Sequence, residues 1–170
     1  MEGEELKCWV RRKSFLVSPS YLAKILHINR PMLKHSPIYD DLCPDEELLK
    51  GGLGQDLEFS SNGNSVSVSS LPPKLRVLTI VMFHNLYPLS STRYMNLGRA
   101  LFLHDVISNV EIHICAHIFH ILRKIVLQTE SQICVPFCCL ISRILKLKRI
   151  YPIANESPYT KLSPITHAYI

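Results

Sequence analysis

Three histidines and three cysteines come nearest to chemistry in this chain. His113, His117 and His120 stand at i, i+4 and i+7. On a helix they fall within about 60° of one another, and Lys124 continues the stripe. Cys134, Cys138 and Cys139 follow. Zinc takes four nitrogen or sulfur ligands tetrahedrally, so a site of two histidines and two cysteines can be drawn from His113, His117, His120, Cys134 and Cys138. The spacing matches no zinc finger or knuckle, and no glutamate follows His113 as a metallohydrolase helix requires. A polar helix edge beside core cysteines is the preferred reading, with no cofactor expected.

Other reactive arrangements fare worse. Metal-dependent transposition needs clustered carboxylates around two ions about 3.5–4 Å apart, yet residues 71–151 hold only Asp105, Glu111 and Glu130. No phosphate-binding glycine loop with its lysine occurs, and Gly51-Gly52-Leu53-Gly54 reads as a helix stop. Cys138 and Cys139 sit near a helix start that could lower a thiol pKa, but Phe137, Leu140 and Ile141 around them imply burial. The six cysteines are unevenly spaced and read as reduced, mostly buried thiols. No enzyme activity is expected, transposase and nuclease included.

Binding through charge is better supplied. Residues 1–70 carry eight Lys or Arg against ten Asp or Glu, whereas residues 71–151 carry ten against three. A basic half attracts nucleic acid or acidic partners. Its candidates are Arg143, Lys146, Lys148 and Arg149 with Tyr151 nearby, a composition suited to phosphate contact and base stacking. No helix-turn-helix, zinc-finger or RNA-recognition signature accompanies them, and the competing reading is a solvated helix end.

These residues need helices to hold them. Within VEIHICAHIFHILRKIVLQ, residues 110–128, Val110, Ile114, Ile118, Ile121 and Ile125 share one face. Cys115, Phe119, Leu122 and Val126 widen it to about half the circumference, so the helix is expected to pack on two sides. Asn109 is its expected N-cap. Earlier in the chain, Phe15, Leu16 and Val17 have strand character after an Arg11-Arg12-Lys13 knot, and Ser18-Pro19 opens a helix. A short helix runs from Cys43-Pro44-Asp45 to Lys50, closed by Gly51-Gly52. Residues 51–70 are Ser-rich; Val66 and Val68 alternate with serines as in a short strand, but the preferred reading is a flexible polar linker. Pro72-Pro73 begins a buried helix ended by Tyr87-Pro88, Ser90-Ser91-Thr92 caps the next, and residues 138–150 form the last.

The expected architecture is mainly α, a compact helical domain of about five to six helices with at most a short strand or hairpin in the N-terminal lobe. It comprises a small N-terminal lobe over residues 1–50, the linker over 51–70, a helical core over 71–151 and an irregular tail over 152–170, one domain overall. No apolar run is long enough to span a membrane. The acidic start MEGEELKC lacks a signal core, so an intracellular protein, nuclear or cytoplasmic, is expected.

The order of these segments resembles the plant transposon protein domain, a family of retroelement-derived reading frames in plants. RRKSFLVSPSYLAKILHI is similar to the family's opening basic turn and apolar helix, and YDDLCPDEELLKG to its acidic second segment. NLYPLSSTRYMNLGRALFLHDVISNVEIHICAHIFHIL resembles its strongest block, VPFCCLISRIL its L-P-F-P-x-L-I-T-R pattern, and KLSPITHAYI its closing stretch. The chain departs from the pattern at residues 51–70, which lack the aromatic-containing segment the family has at that place, and at Cys138-Cys139. The resemblance implies a transposon-derived helical interaction or structural module with no catalytic residues to carry over. Its expected partners are nucleic acid or another element-encoded protein.

Overall fold

The computed structural model describes residues 5–31, 38–87, 93–127 and 137–151. In chain order the elements are β1 (Leu6–Val10), β2 (Lys13–Val17), α1 (Pro19–Leu26), α2 (Glu46–Leu53), β3 (Ser65–Ser67), α3 (Pro73–Asn85), β4 (Tyr94–Asn96), α4 (Leu97–Ile107), α5 (Ile114–Leu127) and α6 (Cys138–Leu147), with 3-10 turns at Tyr39–Asp41 and Val68–Ser70. Helix dominates, as expected. The described residues hold two small antiparallel sheets, and only β1–β2 is the anticipated N-terminal hairpin.

Local chemistry explains most boundaries. The Ser18 hydroxyl accepts the Tyr21 amide at 3.2 Å and Pro19 takes the first helical position, so α1 starts where its sequence says it should. Asn96 accepts the Arg99 amide at 2.9 Å and caps α4. Thr79, fully buried in α3, returns its hydroxyl to the Leu75 carbonyl at 2.8 Å, so no polar atom is stranded there. The glycine pair does not stop α2, which runs on to Leu53. A Cβ on Gly52 would lie 2.2 Å from the His104 ring, so that glycine is a site of close helix approach.

Residues 51–70 are not a linker set apart from the fold. Leu57, Val66, Ser67 and Val68 are buried, and β3 pairs with β4 through Ser65↔Asn96, Val66↔Met95 and Ser67↔Tyr94. Val66, fully buried, faces inward from the short strand opposite Met95, and Val68 buries at the start of the 3-10 turn that follows.

Asn109 caps no helix start. It takes a left-handed φ of 53°, while the Val110 amide reaches the Asp105 carbonyl at 2.9 Å and the Asn109 amide reaches Val106 at 3.4 Å. That is a Schellman closure of α4, a position asparagine favours as readily as an N-cap. α5 consequently begins at Ile114, and Val110 is exposed.

Two hydrophobic cores result, and they do not follow sequence order. The first gathers Tyr39, Leu49, Leu53, Val66, Leu71, Met82, Phe83, Tyr87, Met95, Phe102 and Leu103. The second gathers Val17, Leu22, Ala23 and Ile25 with Cys115, Ile118, Phe119, Leu140 and Ile144. The expected N-terminal lobe is therefore divided, its hairpin and α1 joining α6 while Tyr39 and α2 join α4. α5 serves both cores: Ile121 packs on the first, Cys115, Ile118 and Phe119 build the second, and Ile114 touches each. The wide apolar arc has the two-sided packing its sequence implied.

Candidate functional site

Polar side chains converge at two places, one inside the first core and one at the surface beside the second. The interior group centres on the turn Tyr39–Asp41. The Tyr39 hydroxyl donates to Asp105 Oδ2 at 2.8 Å, and Asp105 Oδ1 lies 3.1 Å from His104 Nδ1. Asp40 accepts from Arg99 Nε and from Lys124 Nζ, each at 3.3 Å. One short turn is thus fastened to α4 by two carboxylates and to α5 by one lysine. Close approach permits it, because a Cβ on Gly98 would lie 1.6 Å from the Tyr39 carbonyl oxygen.

Above this turn, His117 is 4% exposed and packs among Tyr39, Tyr87 and Phe102, with ring centroids 6.2, 4.6 and 4.9 Å away. The Arg99 guanidinium lies 5.1 Å over the Tyr87 ring. Among the described residues, neither His117 Nε2 nor the Tyr87 hydroxyl has a hydrogen-bond partner. Burial lowers the His117 pKa to about 4, with His120 and Arg99 adding to the effect and Asp40 opposing it. Burial, followed by the hydrogen bond and charge of Asp105, pushes Tyr39 up. Burial and the Asp40 charge do the same to Tyr87. All three groups are neutral near pH 7, and none is poised to exchange a proton there. The cavity beside them, lined by Tyr39, Asp40, His117, His120, Ile121 and Lys124, has a volume of about 20 Å³. That is far below the few hundred Å³ an organic substrate occupies.

The histidine stripe comes apart at its first member. His113 precedes α5, and its Nδ1 accepts the Ala116 amide at 3.2 Å, the position of an N-cap. Its Nε2 also lies 3.2 Å from Arg30 Nε. A neutral imidazole carries one ring proton, so both nitrogens cannot accept at once. The buried amide bond is the one we assign, since Arg30 is exposed and its guanidinium also donates to the Ser20 hydroxyl. Burial and then Arg30 lower the His113 pKa. His120 faces the small cavity and Cys138 opens α6 on an exposed position. Cys134 lies outside the described residues. Among the described residues, no three His, Cys, Asp or Glu side chains are grouped to hold a metal ion.

Cysteine burial differs from expectation. Cys115 is buried and Cys8 partly so, whereas Cys43, Cys138 and Cys139 are exposed. The apolar neighbours of Cys138 and Cys139 turn inward on α6, leaving both thiols on its outer face. Leu140 and Ile144 supply the buried stripe.

The surface group joins two stretches far apart in sequence. β1 and β2 meet in a two-residue turn, Arg11-Arg12, with φ of 48° and 64°. Lys13 Nζ donates to the carbonyls of Lys148 (3.4 Å) and Arg149 (3.0 Å), and the Arg11 guanidinium donates to the Tyr151 carbonyl. A cation thereby neutralises the carbonyl end of α6. Lys148 lies over the rings of Tyr21 and Phe15, 4.8 and 5.8 Å from their centroids. Arg149 closes α6 in the left-handed conformation, φ 53°, with the Ile150 amide on Leu145 at 2.9 Å. Arg12, Arg143, Lys146 and Arg149 are exposed, and among the described residues none of them is in an ion pair. Neither residues 6–17 nor residues 137–151 contain a carboxylate.

The structure therefore brings the four basic candidates together but gives them different work. Arg143, Lys146 and Arg149 face solvent, while Lys148 is spent on packing. Sequence reading saw the Arg11-Arg12-Lys13 knot without connecting it to this end, because only the tertiary fold joins them. Trp9, exposed beside the knot, was missed as well. Comparison with known proteins adds nothing further, since no family model, no curated protein and no solved structure matches this chain.

Proposed function

We propose that the protein is a non-catalytic binding module whose basic end, formed by the hairpin turn and the close of α6, contacts the phosphates of nucleic acid. One observation carries this reading. Six non-glycine residues among those described have positive φ, and three of them, Arg11, Arg12 and Arg149, are arginines at this one end. Glycine or asparagine would hold those turns at less cost, since a left-handed L-residue costs roughly 1–2 kcal/mol. Backbone strain retained at a surface that needs no packing is a mark of use. The interior polar group supports the non-catalytic part, because its members are engaged in fastening elements, and burial moves His117, Tyr39 and Tyr87 away from exchanging a proton near neutral pH.

Arg12, Arg143, Lys146 and Arg149 are the contacting cations in this proposal, with Lys13 and Lys148 positioning the surface. Four phosphates neutralised imply a slope of about −3 in log affinity against log salt. Oligonucleotide binding followed by fluorescence anisotropy should weaken roughly 60-fold between 50 and 200 mM salt, as that slope dictates. Alanine at Arg143 or Lys146 should flatten the slope by about 0.7 each. Binding indifferent to salt, or unchanged by those alanines, overturns the proposal. The resemblance to the plant transposon protein domain would make this a mobile element's nucleic-acid-handling module, and the support for that origin is the set of segments quoted above.

A further inference from the structure

We infer that the basic end takes single-stranded rather than duplex nucleic acid, with an unpaired base stacked on Trp9; the inference rests on the phosphate-binding reading above. Side chains of the hairpin alternate between its faces. Leu6, Cys8 and Phe15 pack on the second core, which leaves Lys7, Trp9, Ser14 and Leu16 on the outer face. Trp9 is 71% exposed there. Its directly opposite partner is Ser14, too small to cover an indole.

An indole left open is unusual on its own, and its neighbours decide what it fits. The strained arginine turn begins two residues away. The Arg11 guanidinium is anchored on the carbonyl of Tyr151, a second aromatic that is 58% exposed. Two exposed aromatic residues therefore adjoin one cationic turn, Trp9 through the strand and Tyr151 through its carbonyl. An acidic peptide would satisfy the charge and leave the rings unused. A duplex would satisfy the charge too, but its bases already stack on each other and offer no free face. An unpaired strand supplies phosphates and open bases together, and stacking on aromatics tolerates any sequence. α6 arrives at this surface by its carbonyl end, so it does not present an N-terminus to a groove.

Trp9 is the only tryptophan in the chain, so its fluorescence reports on this position alone. The full-length protein is titrated with an oligo(dT), with a duplex of equal length, and with polyglutamate. Saturable quenching by oligo(dT), with duplex and polyglutamate binding several-fold more weakly and without quenching, is the expected result. Trp9→Ala should weaken oligo(dT) binding by about fivefold or more while leaving duplex affinity and Tm unchanged, and Trp9→Phe should restore most of the loss. If duplex binds as tightly as oligo(dT), or Trp9→Ala has no effect on oligo(dT) binding, the stacking inference falls and phosphate binding stands; if polyglutamate binds as tightly, both fall in favour of an acidic protein partner. If no polyanion binds, the phosphate-binding reading falls with it.

Discussion

The two cores handle their polar groups in opposite ways. Beside the first, Tyr39, Asp40, Arg99, Asp105 and His104 turn inward and satisfy one another, so charge is consumed in fastening a 3-10 turn to α4. Beside the second, the cations stay outside, the carboxylates are missing from both contributing stretches, and the backbone is held left-handed at three arginines. An interior network gains from a low dielectric and loses heavily when one partner is removed. A surface cluster of like charge gains nothing from itself and makes sense toward a partner. The first arrangement holds the molecule together, and the second is what it has to offer.

The sharpest way to break that contrast is at Gly98. Gly98→Ala would drive a Cβ into the Tyr39 carbonyl and push the turn off α4. Chemical denaturation should show a loss of about 3 kcal/mol or more, at the upper end of overpacking effects. A loss under about 0.5 kcal/mol would mean that the turn is not a fastening at all.

Acid comes next. The His117 pKa is about 4 in the fold against an ordinary 6.5. The unfolded chain therefore binds a proton in that window that the folded chain refuses, and stability falls as pH drops from 6.5 toward 4. The decline should approach about 3 kcal/mol at most, from 1.36 kcal/mol per unit. His113, also lowered, adds in the same direction. His117→Phe should flatten most of the slope, and an unchanged slope would show that the titrating group lies elsewhere.

The smallest effect should run the other way. Arg12→Gly relieves an exposed left-handed residue at the turn position where glycine is favoured. It should stabilise by about 1 kcal/mol while weakening oligonucleotide binding several-fold. Stability lost together with binding would place Arg12 in the first class of polar group and erase the contrast.

Periodicity disclosed α5 in the sequence, because an apolar arc serving two cores must be wide. Its first turn was illegible for a chemical reason: asparagine suits both the end of one helix and the start of the next, and the chain used Asn109 for the former. That displacement put His113 before the helix and dissolved a stripe drawn on continuous helical geometry. β3 was half legible: Val66 and Val68 alternate with serines as a short strand would, but serines carry little strand preference, and the register is set by β4, which lies beyond the whole of α3. Each half of the basic end was visible as charge. Their meeting was not, since it depends on a hairpin docking against α1, α5 and α6.

α5 has a consequence for how the molecule comes apart. A helix that walls both cores has no face left to release when either one loosens. Melting the hairpin side would strip Cys115, Ile118 and Phe119 of their cover, and the same helix carries His117 and Ile121 into the other side. The two cores should therefore share one unfolding transition, and a ligand seated on Arg12 and Arg149 should slow hydrogen exchange as far away as Met82 and Phe102.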